Sequence, residues 1–116
     1  MFTTTSLGST ENAVPSLART ASGNTGAFVG TGVPKGMRAQ LNVSAVAGTL
    51  PTLDVTIQDS LDGGVTWNTI GTFTQKTGVV RDVINITTPF APLVRVAWVI
   101  GGTTPSFTFA VDWFVY

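Results

Sequence analysis

The chain of 116 residues contains no cysteine and no histidine. Without cysteine it has no disulfide, no thiolate nucleophile and no thiolate metal ligand, and folding in a reducing cytoplasm suits it. Without histidine it has no Ser-His-Asp arrangement and no imidazole metal ligand. The fold must therefore depend on a hydrophobic core, which a chain of this length is able to form. We expect no cofactor and no metal.

Charge is also scarce, because only 10% of the residues are charged and six basic side chains balance six acidic ones. The basic residues occur singly, so there is no basic stripe for nucleic acid and no polybasic patch for a membrane. No apolar run approaches the roughly 20 residues of a membrane span. With zero net charge, little keeps copies of the chain apart, which favours a homo-oligomer, either a dimer or a trimer.

Carboxylates are the remaining candidates for catalysis. Asp59 and Asp62 are the only two that lie close in sequence, and both belong to one turn. The glycine-rich segment 23–32 lacks the lysine and the following helix of a phosphate-binding loop. We therefore predict that the chain is not an enzyme, with no catalytic, cofactor-binding or metal-binding residues.

Alternation of apolar and polar residues predicts β-strands. Leu53, Val55 and Ile57 alternate with polar residues, so they share one buried face. No segment has the 3.6-residue period of a helix, and glycine and proline recur between short apolar segments. This pattern predicts an all-β fold, an antiparallel β-sandwich of about seven or eight short strands, jelly-roll or immunoglobulin-like. Residues 13–116 would form a single β-sandwich domain, and residues 1–12 a flexible N-terminal arm.

A weak internal repeat relates residues 48–53, GTLPTL, to residues 102–107, GTTPSF. Glycine allows an unusual turn dihedral, and proline fixes φ just before a strand begins. We expect each copy to join two strands, which gives two related hairpins over residues 38–59 and 93–116.

Four apolar residues are candidates for an interface. Phe2 and Leu7 lie in the polar N-terminal arm, where they could dock on a neighbouring subunit or belong to a disordered tail. Phe114 and Tyr116 point away from the predicted core face of the last strand. They either contact a partner or cover the end of a sheet.

The segment 53–73 is predicted to be a hairpin with a tight turn at residues 60–64, because Asp-Gly is a strong turn signal. Its pattern, Ser60-x-Asp62-x-Gly64-x-x-Trp67, resembles the Asp-box hairpin of sialidase propeller blades and of unrelated β-proteins. The resemblance implies a structural role, in which the Ser and Asp hold the turn and the aromatic residue anchors it. A propeller needs several copies, whereas this chain has one.

Exposed tryptophans can stack on sugar rings, which makes Trp67, Trp98 and Trp113 candidates for binding a glycan. Two of the three alternate with apparent core residues, so a structural role is the preferred interpretation. A carbohydrate-binding module remains the alternative.

Much of the chain resembles small β-proteins of tailed bacteriophages. The resemblance is carried by residues 19–23, 45–49, 53–60, 73–75 and 101–107. It implies a virion structural protein, specifically a capsid decoration protein that binds the major capsid protein on the outer capsid surface after assembly in the host cytoplasm. The alternative is a carbohydrate-binding or tail/fibre accessory module.

Overall fold

The computed structural model describes residues 3–5, 7–30, 32 and 34–116. These residues form eight strands: β1 Thr3–Thr5, β2 Thr10–Arg19, β3 Gly23–Asn24, β4 Phe28–Gly30, β5 Met37–Ser60, β6 Asn68–Thr72, β7 Val80–Ile86 and β8 Leu93–Val115. β1 pairs in parallel with β4, and the other strand pairs are antiparallel. The described residues contain no helix, and hence none that could cross a membrane.

The eight strands form one continuous hydrogen-bonded sheet, which bends into two packed halves that we call the first and the second sheet. Two long strands run through both halves. β5 has 24 residues and β8 has 23, and they pair with each other along most of their length. The first sheet has the order β7–β5–β8–β2 and uses residues 37–47 of β5 and 106–115 of β8. The second sheet uses residues 52–60 of β5 and 93–101 of β8, with β6 beside β5, β3 and β4 beside β8, and β1 beside β4.

The two sheets pack face to face around one apolar core. Phe28 of the second sheet meets Trp113 of the first edge to face, with ring centroids 5.0 Å apart. Trp98 and Phe109 make the same kind of contact at 5.6 Å. Both sheets supply fully buried side chains, among them Leu41, Val43, Phe107, Phe109, Val111, Trp113, Leu53, Val55, Ile57, Val94 and Val96. The prediction of an all-β antiparallel sandwich is confirmed.

The internal repeat forms the bend between the sheets. Gly48 has φ of 108° and Gly102 has φ of 112°, values that glycine adopts readily because it lacks a Cβ atom. A Cβ atom on Gly102 would lie 2.7 Å from the carbonyl oxygen of Leu50, and one on Gly48 would lie 2.7 Å from that of Thr104. The two copies therefore stack on each other where β5 and β8 pass from one sheet to the other.

One expectation about the strands needs correction. The repeats do not join separate strands into hairpins, because each lies inside one continuous bent strand, and two of the strands are consequently long. β2 begins at Thr10, and residues 10–12 pair with β8. Whether residues 1–12 are a flexible arm stays a prediction.

Candidate interaction surface

The turn after β5 is held by two side chains that the sequence pattern singled out. Ser60 Oγ accepts a hydrogen bond from the Gly64 N–H at 2.8 Å and donates one to Asp62 Oδ1 at 2.8 Å. Asp62 Oδ1 also accepts from the N–H groups of Val65 at 3.1 Å and Thr66 at 2.8 Å. These bonds satisfy backbone donors of the turn within the turn itself.

Thr66 Oγ1 donates to Asp62 Oδ2. This side-chain bond, the Thr66 N–H and Ser60 Oγ together lower the pKa of Asp62 from 3.8 to about 2, because each stabilises the ionised carboxylate. The role of the turn that follows from this geometry is structural, and no described contact of Asp62 reaches beyond the turn.

We predict that Asp62→Asn lowers the melting temperature above pH 3.8 and that the difference from the wild type shrinks as the pH falls towards 2. The carboxylate has a depressed pKa in the folded state, so its stabilisation is complete above the unfolded pKa and is lost as the pH falls through the folded one. Melting curves at several pH values measure the difference. Leu61→Ala in the same turn is the control, and it should give a constant difference. A constant Asp62→Asn difference from pH 2 to 4 would contradict the assignment.

Trp67, the fourth residue of the turn pattern, lies on the outer face of the second sheet. The Arg95 guanidinium lies 4.4 Å from the centre of its ring, and Arg95 Nε donates to Gln58 Oε1 at 2.7 Å. Partial burial lowers the pKa of Arg95 below its ordinary value. The arginine covers one face of Trp67 and ties the turn to the sheet.

Phe114 and Tyr116 lie at the end of β8, on the outer face of the first sheet. Their ring centroids are 6.1 Å apart, and the side chains remain 37% and 44% exposed. In the pairing register Phe114 stands between Thr10 of β2 and Arg38 of β5. We call this surface the aromatic face and define it by Thr10, Arg38, Gln40, Phe114 and Tyr116.

The aromatic face is shallow. One depression on it has a volume of about 220 Å³ and is lined by polar and apolar groups, including Gln40, Val83 and Asp112. Arg38 of this face donates from Nη1 to Asn85 Oδ1 of the neighbouring strand β7 at 3.2 Å. A flat surface of this kind suits a protein partner better than a small molecule.

Leu7 lies at the same end of β8 as the aromatic face. It forms a parallel bridge with Val115, the Gly8 N–H donates to the Val115 carbonyl at 2.7 Å, and the Leu7 side chain is 40% exposed. Phe2, the other apolar residue of the arm, lies outside the described residues. The interface role of Phe2, Leu7, Phe114 and Tyr116 stays a prediction.

Arg19 closes one edge of the sandwich, and the sequence analysis missed it. Its guanidinium lies 5.2 Å from the centre of the Trp98 ring and 4.8 Å from that of Phe109. Trp98 also donates from Nε1 to the Ala21 carbonyl at 3.1 Å. Burial lowers the pKa of Arg19. Beside these groups a cleft of about 430 Å³ opens between β2 and β3–β4.

Four carboxylates outside the turn each accept a hydrogen bond from a different group of the protein. Asp54 accepts from Gln75, Asp59 from the buried Ala91 N–H, Asp82 from Lys76 and Asp112 from Asn12. Within residues 3–5, 7–30, 32 and 34–116, no group of three acidic residues could hold a metal ion.

No protein-family model and no curated protein sequence matches this chain. Among solved structures, it is similar to PBSX exported protein XepA, with a TM-score of 0.64 and 16% identity over 93% of this chain and 37% of that one. It is also similar to the Yersinia pseudotuberculosis-derived mitogen, with a TM-score of 0.53 and 11% identity over 91% and 86%.

A chain in the structure of infectious bursal disease virus, Gx strain, gives a TM-score of 0.50 with 13% identity over 90% of this chain and 30% of that one. This chain therefore spans about a third of the length of XepA and of the viral chain. At such identities the likeness shows a shared fold.

Proposed function

We propose that the chain is a virion structural protein of a tailed bacteriophage and decorates the outer capsid surface without enzymatic activity. It binds the major capsid protein and copies of itself after assembly in the host cytoplasm. The observation that carries the proposal is the aromatic face, a flat sheet surface with two exposed rings beside Arg38 and Gln40.

The composition of the aromatic face supports a protein contact. Aromatic residues and arginine are enriched at the centres of protein interfaces because they bury a large area and also form hydrogen bonds. Phe114 and Tyr116 retain over a third of their surface in the isolated chain. Covering them would remove that apolar area from water.

Two further observations agree with assembly on a shell. The chain has zero net charge, so copies can crowd on a lattice without long-range repulsion. Its fold is also shared with a chain of a virus structure and with PBSX exported protein XepA. The resemblance of the sequence to small phage proteins is the reason for proposing a tailed bacteriophage as the particle.

A carbohydrate-binding or tail/fibre accessory module is the second candidate, and the cleft beside Trp98 is its best place. Sugar stacking requires an aromatic face that is free to receive a sugar ring. Arg19 lies over Trp98, Arg95 lies over Trp67, and Trp113 is buried. These contacts favour the decoration role over sugar binding.

The test uses phage heads that lack this protein, prepared from a deletion of its gene. Purified wild-type protein should sediment with expanded heads and saturate. The double variant Phe114→Ser/Tyr116→Ser should bind at least about tenfold more weakly, because two half-exposed rings contribute roughly 2–4 kcal/mol when buried.

Leu61→Ser/Val65→Ser is the matched control, because it removes two exposed apolar side chains, 81% and 80% exposed, from the turn of the other sheet. It should bind like the wild type. Failure of the wild-type protein to bind any heads would reject the decoration role. Saturable binding to a polysaccharide, weakened by Trp98→Ala, would promote the second candidate.

A further inference from the structure

The described edges of the two sheets differ in how well they are protected from further pairing. The β2 edge is irregular, with two register shifts and Pro15 in the strand, and Arg19 donates to the carbonyls of Pro15 and Leu17. β1 covers β4. β6 has only five residues and a register shift against β5. Such devices prevent a strand from pairing with another chain.

Among the described residues, β7 has no register shift, no proline and no covering strand, and its inward-facing Asp82 is ion-paired with Lys76 of the same chain. Its seven residues, VRDVINI, pair with β5 in unbroken register from Met37↔Ile86 to Val43↔Val80, and the strand contains no proline and no glycine. On its other side it makes no backbone hydrogen bond with any described residue. β7 is therefore a regular edge whose outward N–H and C=O groups are available to another strand.

We infer that β7 of one copy pairs antiparallel with β7 of a second copy about a two-fold axis, with Val83 opposite Val83 of the second copy. This contact lies at the β7 edge of the first sheet, next to the depression of the aromatic face that Val83 helps to line. The inferred dimer does not depend on the proposed capsid role.

The register follows from the faces of the strand and from its charges. Residues opposite each other in a sheet share a face, so a symmetric pairing must centre on a residue. Centring on Arg81 or Asp82 would place like charges opposite each other, which is destabilising. Centring on Ile84 would pair only residues 82–86, whereas centring on Val83 pairs the whole of β7.

The chosen register also provides suitable cross-strand partners. Arg81 stands opposite Asn85 of the second copy, and Asn85 Oδ1 accepts one bond from Arg38 and keeps a second lone pair for another donor. Asp82 is already paired with Lys76 of its own chain at 2.6 Å. The zero net charge of the chain adds no repulsion between the copies.

Cysteine cross-linking tests the register directly, because the natural chain has no cysteine. Opposite residues in an antiparallel pair have Cα atoms about 4.5–5.5 Å apart, which a disulfide can bridge. Val83→Cys should therefore form an interchain disulfide with a mild oxidant. Arg81→Cys mixed with Asn85→Cys should also cross-link, but neither should do so alone, because identical positions lie roughly 13 Å apart along the strands.

Sedimentation equilibrium provides an independent measurement. Val83→Lys should raise the dimer dissociation constant at least tenfold, since a lysine on an edge opposes pairing. Val99→Lys, at an exposed valine of the second sheet, should leave the dimer unchanged. A wild-type monomer, an unchanged Val83→Lys dimer, or equal cross-linking of Asn85→Cys alone would overturn the inference. Head binding by the wild-type protein, measured separately, distinguishes this failure from failure of the capsid role.

Discussion

Gly102→Ala is expected to lower the free energy of unfolding by about 4 kcal/mol, the sum of backbone strain and steric overlap. Gly102 has φ of 112°, which alanine adopts only with strain. Its new Cβ atom would also lie 2.7 Å from the Leu50 carbonyl oxygen and 2.9 Å from Pro51 Cα. Both neighbours are backbone atoms of the stacked repeat, so they cannot move aside as a side chain would. Urea unfolding measures the loss.

Variants of two other glycines distinguish the cost of backbone strain from the cost of steric overlap. Gly26 has φ of 76° and no atom within 4 Å of a would-be Cβ, so Gly26→Ala should cost only about 1–2 kcal/mol. Gly78 has open space and no positive φ, and Gly78→Ala should change stability by no more than roughly 0.5 kcal/mol. Equal effects at all three positions would show that the stacked bend is not what makes Gly102 necessary.

Asp82→Ala is expected to destabilise the fold by about 3 kcal/mol, because it leaves a buried lysine without its counter-charge. Lys76 Nζ lies 2.6 Å from Asp82 Oδ2, and the two side chains are 8% and 30% exposed. After the substitution, the remaining described partner of Nζ would be Thr74 Oγ1 at 2.6 Å. Chemical denaturation measures the loss.

The reciprocal variant should behave differently. Lys76→Met removes the buried charge and leaves an aspartate that water still reaches, so it should cost only about 1–2 kcal/mol. The double variant Lys76→Met/Asp82→Ala should be more stable than Asp82→Ala alone, since no unpaired buried charge remains. A double variant less stable than either single one would refute the role of the ion pair.

The faces of the main strands were predictable from the sequence. The core residues Leu53, Val55 and Ile57 are at most 1% exposed, as their alternation indicated. Burial in a sheet repeats every two residues, so a short stretch of sequence already contains that information. Ser60 and Asp62 were found for a similar reason, because their partners lie within the same few residues.

The sequence did not reveal the path of β5 and β8 through both sheets. Gly-Thr-x-Pro is compatible with the end of a strand or with a bend inside one, and the local dihedrals are similar in the two cases. What distinguishes them is the other copy of the repeat, which packs Pro51 against Gly102. That contact exists only after β5 and β8 have paired.

Some features of the surface were likewise predictable from the sequence, and others were not. The outward direction of Phe114 and Tyr116 followed from alternation with the core residues of β8, and they are indeed half-exposed. Arg19 and its contact with Trp98 did not follow, because the two residues lie on different strands of opposite sheets. The same holds for Lys76 and Asp82, whose pairing depends on the loop before β7.

The sequence thus sufficed to predict the class of fold, the strand faces and the turn at Asp62. These features depend on local periodicity and on hydrogen bonds between near neighbours in the chain. Which strands pair, which edge remains open and which charges are buried together depend on contacts between residues far apart in sequence. Such contacts are selected by packing of the whole chain against itself, because the free energy of burial depends on every neighbour at once. The unprotected edge of β7 was recognised only after all the other edges of the two sheets had been placed.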